Sequence, residues 1–191
     1  MNVINIIGKM IRIFVNPLRN WRSEELASIR IKDLHGKVFP LLMVAFFAIV
    51  LFGSAMNHIP EVGFAMVLAD ALIRCSLFSV IYFLLSFIEY RLCRMYVDVN
   101  YTQSSLLLLE TLLPFYLLYA FLSVFYYPAL RFLWILVAYC IVIIYYGSVD
   151  FLKVQKDKSL IFIILSMLLI LFYIVMSLTL DEIFKGVLLN G

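Results

Sequence analysis

From Val38 to Met56, and again from Ser159 to Leu180, the chain carries no charged side chain. A helix rises ~1.5 Å per residue, so ~20 apolar residues cross the ~30 Å of a bilayer's hydrocarbon. Runs this long cannot be strands, and no ten-residue alternation suggests a barrel. Three further stretches qualify with interruptions. Residues 64–88 contain Asp70 and Arg74, residues 104–126 contain Glu110 and Pro114, and residues 129–152 have Arg131 and Asp150 near their ends. Long basic side chains near a helix end reach the headgroups at little cost. The expected fold is all-α: a polytopic membrane protein, a bundle of five transmembrane helices preceded by an N-terminal interfacial amphipathic helix. Residues 1–37 form the N-terminal segment and 38–191 the membrane domain.

Composition closes off the alternatives. Hydrophobic residues make up 65% and charged residues 14%, against ~45–50% and ~25% in soluble chains. So little charge cannot cover a soluble surface, which excludes a nucleic-acid-binding domain, a disordered chain and a disulfide-stapled module. Cys75, Cys93 and Cys140 are an odd number without CxxC spacing, and no disulfide frame or zinc site follows. No cofactor is expected.

The basic residues set the orientation. Twelve of the 15 Lys and Arg residues fall before the first span, after the second or after the fourth, and only Arg131 and Lys185 fall on the opposite side. That bias places the N-terminus in the cytoplasm and the C-terminus outside. The first residues do not read as a cleavable signal, because Lys9 and Arg12 interrupt the apolar part. Asn5, Lys9, Arg12 and Asn16 recur at helical spacing opposite Val3, Ile7, Met10 and Phe14. This pattern predicts a helix lying on the inner leaflet and stopped at Asn16-Pro17.

Ionisable groups inside spans are costly and draw attention. Asp70 and Arg74 are four apart and share a helix face. Pro114 clashes with the carbonyl four residues back, which belongs to Glu110. An Asp70–Arg74–Glu110 cluster beside the Pro114 bend is therefore expected if spans two and three are neighbours. It reads either as an ion-pair lock or as a proton or cation site. Ala71, Cys75 and Ser79 form a strip of small residues suited to close helix packing. Tyrosines at span ends, such as Tyr90, Tyr96, Tyr101, Tyr145 and Tyr146, fit interfacial belts. His35 and His58 fall on opposite sides and cannot share a metal. No nucleophile–base pair, phosphate loop or metalloprotease motif is present.

Asn16-Pro17 followed by Trp21 resembles the NP-x-x-x-W opening of bacterial Yip-type membrane proteins, the Ypt/Rab-interacting family. Asp33-Leu34-His35-Gly36 is similar to the DLYGP motif of the eukaryotic members, although Lys37 stands where that motif has proline and the nearest proline is Pro40. Pro114, Pro128 and Tyr145-Tyr146-Gly147 follow the family's proline-then-Tyr-x-Gly order. The resemblance covers nearly the whole chain and implies a non-enzymatic protein of membrane organisation or scaffolding, in its bacterial branch and in the cytoplasmic (inner) membrane. It carries over neither GTPase binding nor any catalytic residue. The expected partners are the lipid bilayer and a membrane protein or a second copy, with no nucleic acid. The competing expectation is a small transporter or channel subunit using Asp70, Arg74 and Glu110.

Overall fold

The computed structural model describes residues 3–21, 26, 29–125 and 138–190, and among these every regular element is a helix. In order they are α1 (Val3–Val15), α2 (Pro17–Asn20), α3 (Ile31–Asp33), a π turn (Leu34–Val38), α4 (Phe39–Val62), α5 (Phe64–Tyr96), α6 (Tyr101–Val124), α7 (Tyr139–Tyr146), a second π turn (Gly147–Phe151) and α8 (Lys156–Asn190). Four are long and apolar enough to cross a membrane: the helix running from α3 into α4, then α5, α6 and α8. The membrane-type helical bundle stands. The expected fourth span, 129–152, appears as the shorter apolar helix Tyr139–Phe151, and residues 129–137 lie outside the described residues. So do the Tyr126-Tyr127-Pro128 turn and Arg131.

The helices overrun the boundaries that hydrocarbon thickness suggests. α4 continues through Pro60 to Val62, and a single residue, Gly63 at φ +78°, turns the chain into α5. Only glycine adopts that φ without strain. At the other end α5 continues to Tyr96, so Glu89, Arg91 and Arg94 sit on a helix and not in the loop expected after span two. The next helix starts at once: Asn100 and Gln103 close a capping box, each side chain accepting from the other's backbone N–H.

α6 is the central helix. Every residue from Ser104 to Leu112 is buried, whichever way it points. α4 and α5 pack on it from one side and α7 from another, while α8 lies against α5. The α4–α6 crossing is backbone to backbone, since a Cβ on Gly53 would overlap the Ser123 carbonyl. Small residues permit such crossings in membranes, where lipid tails remove any hydrophobic drive between helices. The outward faces are apolar accordingly. Val44, Phe52, Leu84, Leu160, Leu168, Leu171 and Val175 are exposed, as acyl chains require. Ala71 is fully buried and Ser79 donates back to the Cys75 carbonyl, so the small strip packs within the bundle at its first member.

α1 is helical as the periodicity predicts, but its apolar arc is divided. Ile6, Met10 and Ile13 are buried in the protein, whereas Ile4, Ile11 and Val15 are exposed. The Tyr139 hydroxyl donates to the Phe14 carbonyl at 2.9 Å, and Asn20 Nδ2 donates to the Arg12 and Asn16 carbonyls at 2.8 Å. The helix expected to rest on lipid is thus also fastened to the bundle.

Candidate functional site

Two sets of residues stand out, one at the basic end and one inside the membrane domain. At the basic end, Asn16 caps α2 by accepting from the Arg19 N–H, and Pro17 occupies the first helical position. A capping Asn followed by Pro is a strong start signal, because Pro lacks only an N–H that would be orphaned there anyway. The single turn ends at Trp21, which is buried against Phe151 at 5.1 Å between ring centroids. A Cβ placed on Gly147 would lie 3.2 Å from the same indole. The NP-x-x-x-W opening and the Tyr-x-Gly segment, 126 positions apart from Trp21 to Gly147 (147 − 21), therefore meet as one joint.

The Asp33-Leu34-His35-Gly36 segment is a second joint. Asp33 is buried yet held by two exposed cations, Arg30 Nε at 3.0 Å and Lys37 Nζ at 2.8 Å. Lys37, the departure from the DLYGP pattern, is thus one of the two cations. Leu34 is buried, and His35 sits edge-on to Tyr82, Phe83 and Tyr101 with Nε2 3.3 Å from the Tyr82 hydroxyl. Pro40 has no N–H for the Gly36 carbonyl four residues back, and the π turn ends just before it. Gly36 has nothing near the position of a Cβ. Tyr145 is half exposed and touches only Tyr146 among the ring contacts of described residues.

Inside the bundle, α5 presents a polar seam at helical spacing: Asp70, Arg74, Tyr82, Ser86 and Glu89. Arg74 meets Asp70 through two bonds, Nε to Oδ1 at 2.9 Å and Nη2 to Oδ2 at 2.7 Å, and its Nη1 donates to the Tyr119 hydroxyl at 2.6 Å. That fork satisfies a guanidinium in low dielectric. Next along the seam, the hydroxyls of Tyr116 on α6 and Tyr173 on α8 bond to each other, and Tyr173 reaches the Phe78 carbonyl at 3.4 Å. Tyr82 donates to the Ser105 carbonyl at 3.3 Å. Last, Glu89 accepts from Ser166 on α8 at 2.9 Å and from the Cys93 thiol at 3.9 Å. Cys75, Cys93 and Cys140 are free thiols.

Glu110 does not join this seam. Tyr119, the α6 partner of Arg74, lies nine residues further on, which is two and a half turns at ~3.6 residues each, so the two side chains leave α6 on opposite faces. The expected Asp70–Arg74–Glu110 cluster is an Asp70–Arg74–Tyr119 group, with Glu110 apart from it. Glu110 is fully buried, and neither carboxylate oxygen has a hydrogen-bond partner among the described residues. Glu89, Ser166 and the core tyrosines lie outside the site that the charges within the spans point to. The signal was there, since the four-residue spacing from Asp70 through Arg74, Tyr82 and Ser86 runs on past the apolar stretch.

No three His, Cys, Asp or Glu side chains among the described residues converge as metal ligands. No family model, curated protein or solved structure matches the chain.

Proposed function

We propose that this chain is a non-enzymatic integral membrane protein of the Yip type, organising membrane or scaffolding partner membrane proteins. The observation that supports the reading is the contact of Trp21 with Gly147. Residues that resemble two separate motifs of the family form one joint. Arg30, Lys32, Lys37, Arg91, Arg94, Lys153 and Lys158 are exposed. In our reading this basic end faces the cytoplasm, with the C-terminus across a bacterial inner membrane. Reporter fusions after Lys158 and after Gly191 test the orientation, and the same side for both overturns it.

The scaffold reading is tested by quantitative co-purification in mild detergent, comparing the native chain with Trp21→Ala at equal membrane abundance. A defined partner membrane protein held by the native chain and lost with the joint supports it. A partner-free monomer that carries solute flux in liposomes overturns it.

A further inference from the structure

Glu110 is a carboxylic side chain in the middle of the most enclosed helix, with no donor turned toward it. It lies about 13 Å along α6 from Tyr101, inside the stretch in which every residue is buried. Both its oxygens lack hydrogen-bond partners among the described residues. The neighbouring hydroxyl offers none, because Thr111 Oγ1 donates to the Leu107 carbonyl at 2.8 Å. Pro114 adds a third acceptor, since it has no N–H to give the Glu110 carbonyl four residues back. Both carboxylate oxygens are thus left in low dielectric without a hydrogen to share, beside a backbone carbonyl that lacks its usual donor four residues on. Burying such groups unpaired is costly.

The surrounding ionisable groups are committed elsewhere. On α5, Arg74 is held by Asp70 and Tyr119 on the opposite face of α6, and Glu89 is held by Ser166 and Cys93. On α7, Tyr139 donates to the Phe14 carbonyl and Cys140 is a buried thiol. The described side chains of α4 include no charged residue from Phe39 to Met56, and Tyr173 of α8 is bonded to Tyr116. α1 brings Lys9 and Arg12, with Arg12 exposed.

We propose that Glu110 is the binding site of one small monovalent cation, a proton or an alkali metal ion, held between its carboxylate and its own backbone oxygen freed by Pro114. A bound alkali ion takes oxygens from both groups. A bound proton makes the side chain an O–H that donates to the carbonyl. The site is independent of the scaffold reading and stands or falls by its own test.

The test uses the purified full chain in nanodiscs of neutral lipid, read by its thermal unfolding midpoint. Sodium replaces choline at fixed pH and ionic strength, and pH is then varied in choline alone. The native midpoint should rise along one of the two titrations, while Glu110→Gln loses that rise. Pro114→Ala keeps the carboxylate but restores an N–H to the Glu110 carbonyl, so its response should need a higher cation concentration. A sodium response assigns an alkali ion, and a response to acid alone assigns the proton. Identical titrations for native and Glu110→Gln chains overturn the site. Should Glu110→Gln fail to accumulate, Pro114→Ala decides, and an unmoved half-point overturns the proposal.

Discussion

Trp21 and Gly147 fit together with no room for a methyl group: a Cβ on Gly147 would stand 3.2 Å from indole Cε2 and Cζ2 and would collide with Leu107 Cδ1. The indole is 1% exposed, so it cannot swing outward without opening the joint. Gly147→Ala should therefore destabilise by the ~1–3 kcal/mol typical of overpacking, and Gly147→Val by more. Gly36→Ala, in the neighbouring motif, meets nothing within 4 Å and removes a helix-interior glycine. It should be neutral or stabilising by up to ~1 kcal/mol. Thermal unfolding in detergent compares the pair, and equal losses would show that Gly147 is not under steric constraint.

Arg74 should be the most sensitive residue of the seam. Arg74→Ala leaves Asp70 without its cation and removes the Nη1 donor to the Tyr119 hydroxyl, and breaking a buried pair costs ~3–5 kcal/mol. Tyr119→Phe removes the bond from Arg74 Nη1, and hydrogen bonds between membrane helices average ~0.6 kcal/mol. Asp70 keeps 17% of its side chain exposed, so its loss should fall between these. Because Glu110 leaves α6 on the other face, Arg74→Ala and Glu110→Gln should add without coupling. A coupling above ~0.5 kcal/mol in the double-mutant cycle would return Glu110 to the Arg74 group.

Much of this architecture is legible in the sequence because lipid leaves few choices. A span must be apolar outside and hydrogen-bonded within, so Val38–Met56 and Ser159–Leu180 announce themselves. Helix ends are harder to read, because hydrocarbon thickness bounds the apolar run and not the helix. Glu89 is hidden for that reason: it falls just beyond the apolar stretch, yet α8 covers it. The Glu110 expectation failed on rotation about the helix axis. Depth along α6 placed it level with α5, but only the identity of the residue Arg74 touches shows which face of α6 looks at α5. The Tyr145-Tyr146-Gly147 pattern singles Gly147 out but not the reason for a glycine, since the atoms that crowd it come from Leu107 and Trp21.

Glu89 and Ser166 tie α5 to α8 where the two helices approach the basic end. Glu89→Leu and Ser166→Ala should each lower stability, and the pair should lose less than the sum, with a coupling of about 0.6–1.7 kcal/mol. Ser104→Ala serves as the control, because that hydroxyl is spent on the Tyr101 carbonyl of its own helix. Additive losses for Glu89 with Ser166, equal to those with Ser104, would remove the bond from the account of how α8 is held.

Three successive residues of α1 should report three different surroundings. At ~100° per residue, Met10, Ile11 and Arg12 point just over a quarter of a turn apart. Met10 is 2% exposed and faces the bundle, Ile11 is 54% exposed on the outward apolar strip, and Arg12 is exposed on the polar arc with Asn5 and Asn16. An interfacial helix keeps its apolar side in the acyl boundary and its cations toward water. Single cysteines at these positions, in a chain whose Cys75, Cys93 and Cys140 are replaced by alanine, can each carry a small fluorophore in nanodiscs. The label at Ile11 should be quenched by nitroxide lipids and the label at Arg12 by aqueous iodide. Met10→Cys should label slowly, and its signal should respond to neither quencher. Met10→Asp should release α1 and make the labels at positions 11 and 12 both respond to iodide, because a carboxylate cannot stay between α1 and the bundle without a partner. If Met10 and Ile11 respond alike in the native chain, α1 is not docked as described and rests on the bilayer alone.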